Sequence, residues 1–262
     1  LFHYNRQQFS DIGVPSHNHW HHYRVWCFMK ELIEQLDTDG LTYEQDELEG
    51  LIIAAFFHDI AMHRTYKESH GLEGADACSR FFARHHMPAP HCFLSVLEAI
   101  ERHDDKTYLH ASDHGSKPGL QQLLSVADDL DAFGVIGIVR YAEIYLLRGV
   151  HRKHIPNKVL DNSRSRMDHL EKTFTPNRHV VKNHRQRFER LTNFYTALER
   201  TDQTAHVNRI VFRQIEEHVQ RGIKTNHLSG LLKPADEPEL ISFLGELESE
   251  QEGFRLPDFI SP

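Results

Sequence analysis

Residues 51–59 read LIIAAFFHD, seven apolar side chains running without interruption into an adjacent histidine and aspartate. Leu48, Leu51, Ile52, Ala55 and Phe56 recur at the i, i+3, i+4 spacing of a helix face. The stripe continues onto Asp59, and His58 lies one turn beyond Ala54 and Ala55. Both polar side chains are therefore expected to face the core. A lone buried carboxylate costs so much that it is normally protonated or paired, and a divalent cation is one partner that also engages the neighbouring imidazole. The dipeptide alone leaves a second reading open: a helix C-terminus carrying His for its dipole and Asp for solvent.

The same period returns along the chain. A helix is expected over residues 18–36, with Val25, Phe28, Met29, Leu32, Ile33 and Leu36 on one face and His21 at its first turn. A second spans residues 44–60. A third opens after Ser69 as N-cap and carries His70, Gly74, Ala77, Cys78 and Phe81 on one stripe. Phe93, Val96, Leu97 and Ile100 lead to His103, and Leu120, Leu123, Leu124 and Ala127 lead to Asp128. Gly134 and Gly137, within the next apolar run, are expected to permit close helix packing. Residues 1–16 show no period, and the basic stretch 149–178 reads as a surface connection with at most short helices. Amphipathic helices follow around Phe188–Leu198 and Val207–Val219, then a short one near residues 237–250. No alternation long enough for a sheet occurs, so the expected class is all-α. Residues 1–150 are expected to form a metal-binding helical domain, with 151–262 a helical extension packed on it.

A formal charge of −8 argues against a binder of nucleic-acid duplexes. No apolar run is long enough to span a membrane, and no charged segment leads into an apolar stretch at the start, so neither a membrane span nor a signal peptide is expected. The three cysteines, Cys27, Cys78 and Cys92, are widely spaced among apolar residues and read as reduced core thiols of a cytoplasmic protein. The 22 histidines decide nothing by number. What discriminates is phase: His21, His58 with Asp59, His70, His103 and Asp128 each share the apolar face of a different helix.

HHYRV around His21, HDI at His58 and Asp59, and ADDLDAFG at Asp128 resemble, in that order, the H-x-x-R-V opening, namesake dipeptide and closing A-D-x-L-D segment of the HD superfamily. HGLEGA from His70 is similar to the histidine that opens the helix after the pair. IERH ending at His103 is similar to a further histidine of the two-metal branch. The resemblance covers about residues 17–140. It implies an HD-domain-like helical bundle that hydrolyses a nucleotide or other phosphate ester through a metal-activated water. By position, His21, His58, Asp59 and Asp128 would hold a first divalent ion, and His70 and His103 would complete a second with Asp59 bridging. Mn, Fe, Co, Ni, Zn or Mg would suit such donors, with the imidazoles disfavouring Mg in the second site. The expected partner is a small phosphorylated substrate, and a homo-oligomer is compatible with the pattern. Ala61 stands where many members carry Gly and then Lys, so Lys67 or Arg64 is a candidate for the phosphate. Arg24 is expected either to steer the phosphate or to pair with a carboxylate such as Asp131. Two alternatives share the ligand order: a diiron oxygenase resembling inositol oxygenase, and a non-catalytic metal-binding module.

Overall fold

The computed structural model describes residues 1–66, 69–105, 117–174, 178–198, 200, 204–233, 238–254 and 256. They are all-α, with no strand among them. They form two compact units interleaved in sequence: Leu1–Ile12, His17–Asp131 and Arg164–Arg185 make the first, and Gly13–Ser16, Ala132–Ser163 and Gln186–Pro262 the second.

The first unit contains α1 (Phe2–Gln8), α2 (His19–Thr38), α3 (Gln45–Phe57), α4 (His70–His85), α5 (Phe93–Glu101) and α6 (Leu120–Asp131). Helix starts follow their caps. The Asn18 side chain accepts from the backbone N–H of Trp20 at 2.9 Å, and Glu44 with Glu47 forms a reciprocal capping box at α3. Ser69 precedes α4 as expected but does not cap it, its hydroxyl going instead to the Glu73 carboxylate at 3.2 Å. The helix α1 falls where no period was expected. Its inward face carries Asn5, whose amide donates to the Phe56 carbonyl at 2.7 Å, so a polar residue interrupts the apolar pattern. α2 packs on α3 and α6, while α5 packs on α3, α4 and α6. Met29, Leu32, Leu51, Ile100 and Leu123 are fully buried among them. Each contributes roughly 1.5–3 kcal/mol by leaving water.

In the second unit α7 (Gly134–Leu147) packs on α10 (Thr204–Arg221) and α11 (Pro238–Glu252). Gly134 has φ +73°, a left-handed turn that a side chain would strain, and the following Val135 and Ile136 N–H groups donate to Glu250 at 2.7 and 3.1 Å. Gly137 lies so close to the Ala132 carbonyl that a Cβ would stand 2.1 Å from it, so here glycine accommodates backbone rather than a partner helix. The stretch expected as a surface connection holds instead a 19-residue helix, α8 (Ile155–Thr173), which contributes residues to both units. Its buried positions Ile155, Val159, Ser163, Met167 and Leu170 keep helical spacing, but lysines, arginines and asparagines between them mask it. α9 (His179–Ala197) follows α8. Among the described residues no helix is long and apolar enough to cross a membrane.

Candidate metal centre

Helix ends position the cluster. The cap at Asn18 puts His21 on the first turn of α2. α3 ends at Phe57, short of the expected residue 60, so His58 sits at the C-cap with its N–H on the Ala54 carbonyl at 3.0 Å, and Asp59 opens a 3-10 turn, Ile60–His63. His70 is the first residue of α4, His103 follows the end of α5, and Asp128 lies on α6. The close approach of α4 depends on two glycines. A Cβ on Gly74 would lie 2.8 Å from the Phe57 carbonyl and 3.0 Å from that of His58, and one on Gly71 would lie 2.4 Å from that of Glu101. All six side chains are buried.

They converge on the Asp59 carboxylate. His21 Nε2 and His58 Nε2 stand 3.2 and 3.6 Å from its Oδ2, and His70 Nε2 and His103 Nε2 stand 3.2 and 3.3 Å from its Oδ1. Asp128 Oδ1 joins the first pair, 3.5 Å from His21 Nε2. Two groups that can hold a cation therefore share Asp59: His21, His58, Asp59 and Asp128, and Asp59, His70 and His103.

The far nitrogens show why a cation fits. His58 Nδ1 lies 3.0 Å from the Ala55 carbonyl and His103 Nδ1 2.7 Å from that of Ile100, and a carbonyl can only accept, so these rings carry their proton on Nδ1. His21 Nδ1 meets the Asp131 carboxylate at 2.7 Å. In a neutral ring so anchored, Nε2 is a lone pair. Yet His21 Nε2 and His58 Nε2 are 3.0 Å apart. Facing lone pairs repel unless a positive charge lies between them. Asp59 Oδ1, buried, has no donor aligned to hydrogen-bond it. The donor set, imidazole nitrogen and carboxylate oxygen without thiolate, suits a divalent transition metal.

The electrostatics agree. Burial, aided by the neighbouring His21 and His103 rings, pushes His58 down to about 4 against the opposing pull of Asp59, so it is the neutral ligand form at neutral pH. Burial alone would raise Asp59, but His58, His103, His21 and His70 hold it well below the usual carboxylate range. At His70 burial is overcome by Asp104 and Asp59, which lift it to about 11. The same two carboxylates would favour a cation there.

A further layer holds the ligands. Arg24 gives Nε and Nη2 to Asp131 at 2.6 and 2.9 Å, while Asp131 holds His21. Of the two arrangements expected for Arg24 the structure has the carboxylate pair. Arg166 of α8 bridges Asp128 and Asp129 at 3.3 and 2.6 Å, and His169 Nδ1 meets Asp129 at 2.5 Å. Neither was singled out by sequence, because both lie in the stretch whose helical phase is masked.

Residues 20–132 match the family model described as HD domain. The chain carries an HD domain. No curated protein and no solved structure matches the chain. All six residues expected as ligands lie inside the HD domain, and HD domains bind divalent metals. Among the neighbouring histidines, His22 turns its Nδ1 to the Ala55 carbonyl at 3.2 Å and lies against Phe9, while His63 bonds back to the Ile60 carbonyl. Neither belongs to the two groups around Asp59. Arg64 is exposed and donates to His63 at 2.6 Å, and Lys67 lies outside the described residues.

Proposed function

We propose that the HD domain is a metal-dependent phosphohydrolase acting on a small phosphate ester such as a nucleotide. What carries this reading is the set of four imidazole Nε2 atoms turned on the two oxygens of one buried aspartate. His21, His58, Asp59 and Asp128 would hold one divalent ion, and His70 and His103, with Asp59 shared, a second. Bound ions would supply Lewis acidity, neutralising charge on a phosphoryl oxygen and acidifying water. The chain supplies the rest. Nδ1 protons held by Ala55 and Ile100 fix the ring orientation of His58 and His103, and the Arg24–Asp131 pair fixes His21. The buried ligands exclude bulk water from one side of the cluster, so charges there act in a low dielectric. Arg166, on Asp128 and partly accessible, is a cation that would meet a phosphate at this edge.

The test is elemental analysis of the purified protein, with turnover of nucleoside mono-, di- and triphosphates and simple phosphate esters after chelation and reloading with Mn²⁺. His58→Ala and Asp59→Ala are expected to lose bound metal and phosphate release together. Unchanged metal in both variants, or turnover that requires iron and dioxygen and releases no phosphate, would refute the reading.

A further inference from the structure

Among the described residues the second ligand group has one donor fewer than the first: two histidines and two aspartates in the group of His21, but Asp59, His70 and His103 on the other side. Asp104, the next residue after His103, lies against that gap. Its Oδ2 is 3.2 Å from His70 Nε2 and its Oδ1 3.9 Å from His103 Nε2. Which nitrogen it meets is informative. A carboxylate that merely orients a ligand histidine takes the nitrogen facing away from the metal, as Asp131 takes Nδ1 of His21. Asp104 takes Nε2, the nitrogen that already faces Asp59 Oδ1 at 3.2 Å. That oxygen of Asp59 is buried and has no aligned donor, so Asp59, His70 and His103 present donor atoms to one place, and the Asp104 carboxylate lies beside it with one oxygen toward each ring.

We infer that Asp104 is a ligand of a second divalent cation, completing with Asp59, His70 and His103 a set that mirrors the first. With Asp59 shared, Asp104 brings to three the carboxylates that face two divalent ions, and imidazole with carboxylate suits Mn²⁺, Co²⁺ or Zn²⁺ better than Mg²⁺. The two sets differ in access. His21, His58, Asp59 and Asp128 are all buried, whereas the Asp104 side chain is 53% exposed. Asp104 therefore forms the solvent-facing wall of the second set, and this is the site that exchanges ions and admits a phosphate oxygen. The inference rests on the metal-dependent reading above and extends it to a residue outside the family pattern.

The test uses the metal alone. The full chain, stripped by EDTA and dialysed, is titrated calorimetrically with Mn²⁺ as wild type, Asp104→Asn and Asp104→Ala, with circular dichroism to verify the helices. Wild type is expected to take two ions. Both variants should keep one at wild-type affinity and bind the second roughly tenfold or more weakly. Two ions at unchanged affinity in both variants, or loss of both ions in Asp104→Asn, would overturn the assignment. A wild type that takes one ion overturns it too while leaving a one-ion hydrolase standing, whereas a wild type that takes none overturns both readings.

Discussion

At Asp131 one carboxylate serves two neighbours, orienting His21 through Nδ1 and neutralising Arg24, with Arg24 and Asp131 themselves buried. Removing one member of such a pair strands a buried charge, a loss of about 3–5 kcal/mol, whereas removing both is much milder. Asp131→Ala is therefore expected to lower stability in urea by about that amount, and the Asp131→Ala, Arg24→Met double variant to recover much of it. A double variant as unstable as the sum of the two singles would show that no such pairing exists. Glu143 provides a pH readout apart from the metal ligands. Burial lifts it to about 7, over the opposing effects of the Ser16 hydroxyl and backbone N–H and of Arg140. A carboxyl raised in the folded state holds its proton more tightly there than in the unfolded chain. Its contribution is thus present at low pH and lost as pH rises from the ordinary glutamate value through 7, a window of roughly 2–3 kcal/mol. Relative to wild type, Glu143→Gln is expected to gain about that much between pH 5 and pH 8 in paired denaturation curves, and a constant difference would contradict the buried, raised carboxyl.

At the scale of the element, α4 shows two effects of opposite sign. Alanine is favoured over glycine inside a helix by about 1 kcal/mol. At Gly74, however, a Cβ would press on the Phe57 and His58 carbonyls. Packing is expected to win, because neither backbone can yield without moving the turn that holds the histidine and aspartate. Gly74→Ala should cost about 1–3 kcal/mol net and weaken metal binding at His70, read by melting and metal titration. A variant more stable than wild type with full metal content would sink this account. The glycine itself was visible in the stripe of small residues following His70. Its partner was not, since a backbone carbonyl leaves no mark on sequence. α8 shows the converse case. Its polar composition hid a helix whose inward Arg166 and His169 hold Asp129. Long side chains bury their stems while keeping charged heads paired, and hydrophobicity patterns miss them.

For the molecule as a whole, an ion that binds the folded cluster and not the unfolded chain stabilises in proportion to the logarithm of its saturation, about 2.7 kcal/mol at a hundredfold excess over Kd. Reloading the chelated protein with Mn²⁺ at that level is expected to raise its melting temperature by about 5–10 °C, as a kilocalorie moves Tm by roughly 2–4 °C at this size. His58→Ala should melt at the same temperature with and without the ion. An equal rise in that variant would place the stabilising ion elsewhere. By itself the sequence determined the helical class and the six inward polar residues. Both are local properties: a period of 3.6 puts a residue on the apolar face whatever that face later meets, and an ionisable group there demands a partner. Only the tertiary structure decided which groups become partners. His21 and His58 are brought nitrogen to nitrogen, Asp131 is given to Arg24 and His21, Arg166 comes from a helix that looked like a linker, and Asp104 turns to the face of His70 that Asp59 also meets. Those contacts join residues far apart in the chain, and their geometry depends on how helix ends, glycine contacts and a 3-10 turn set each backbone. No periodicity encodes that placement.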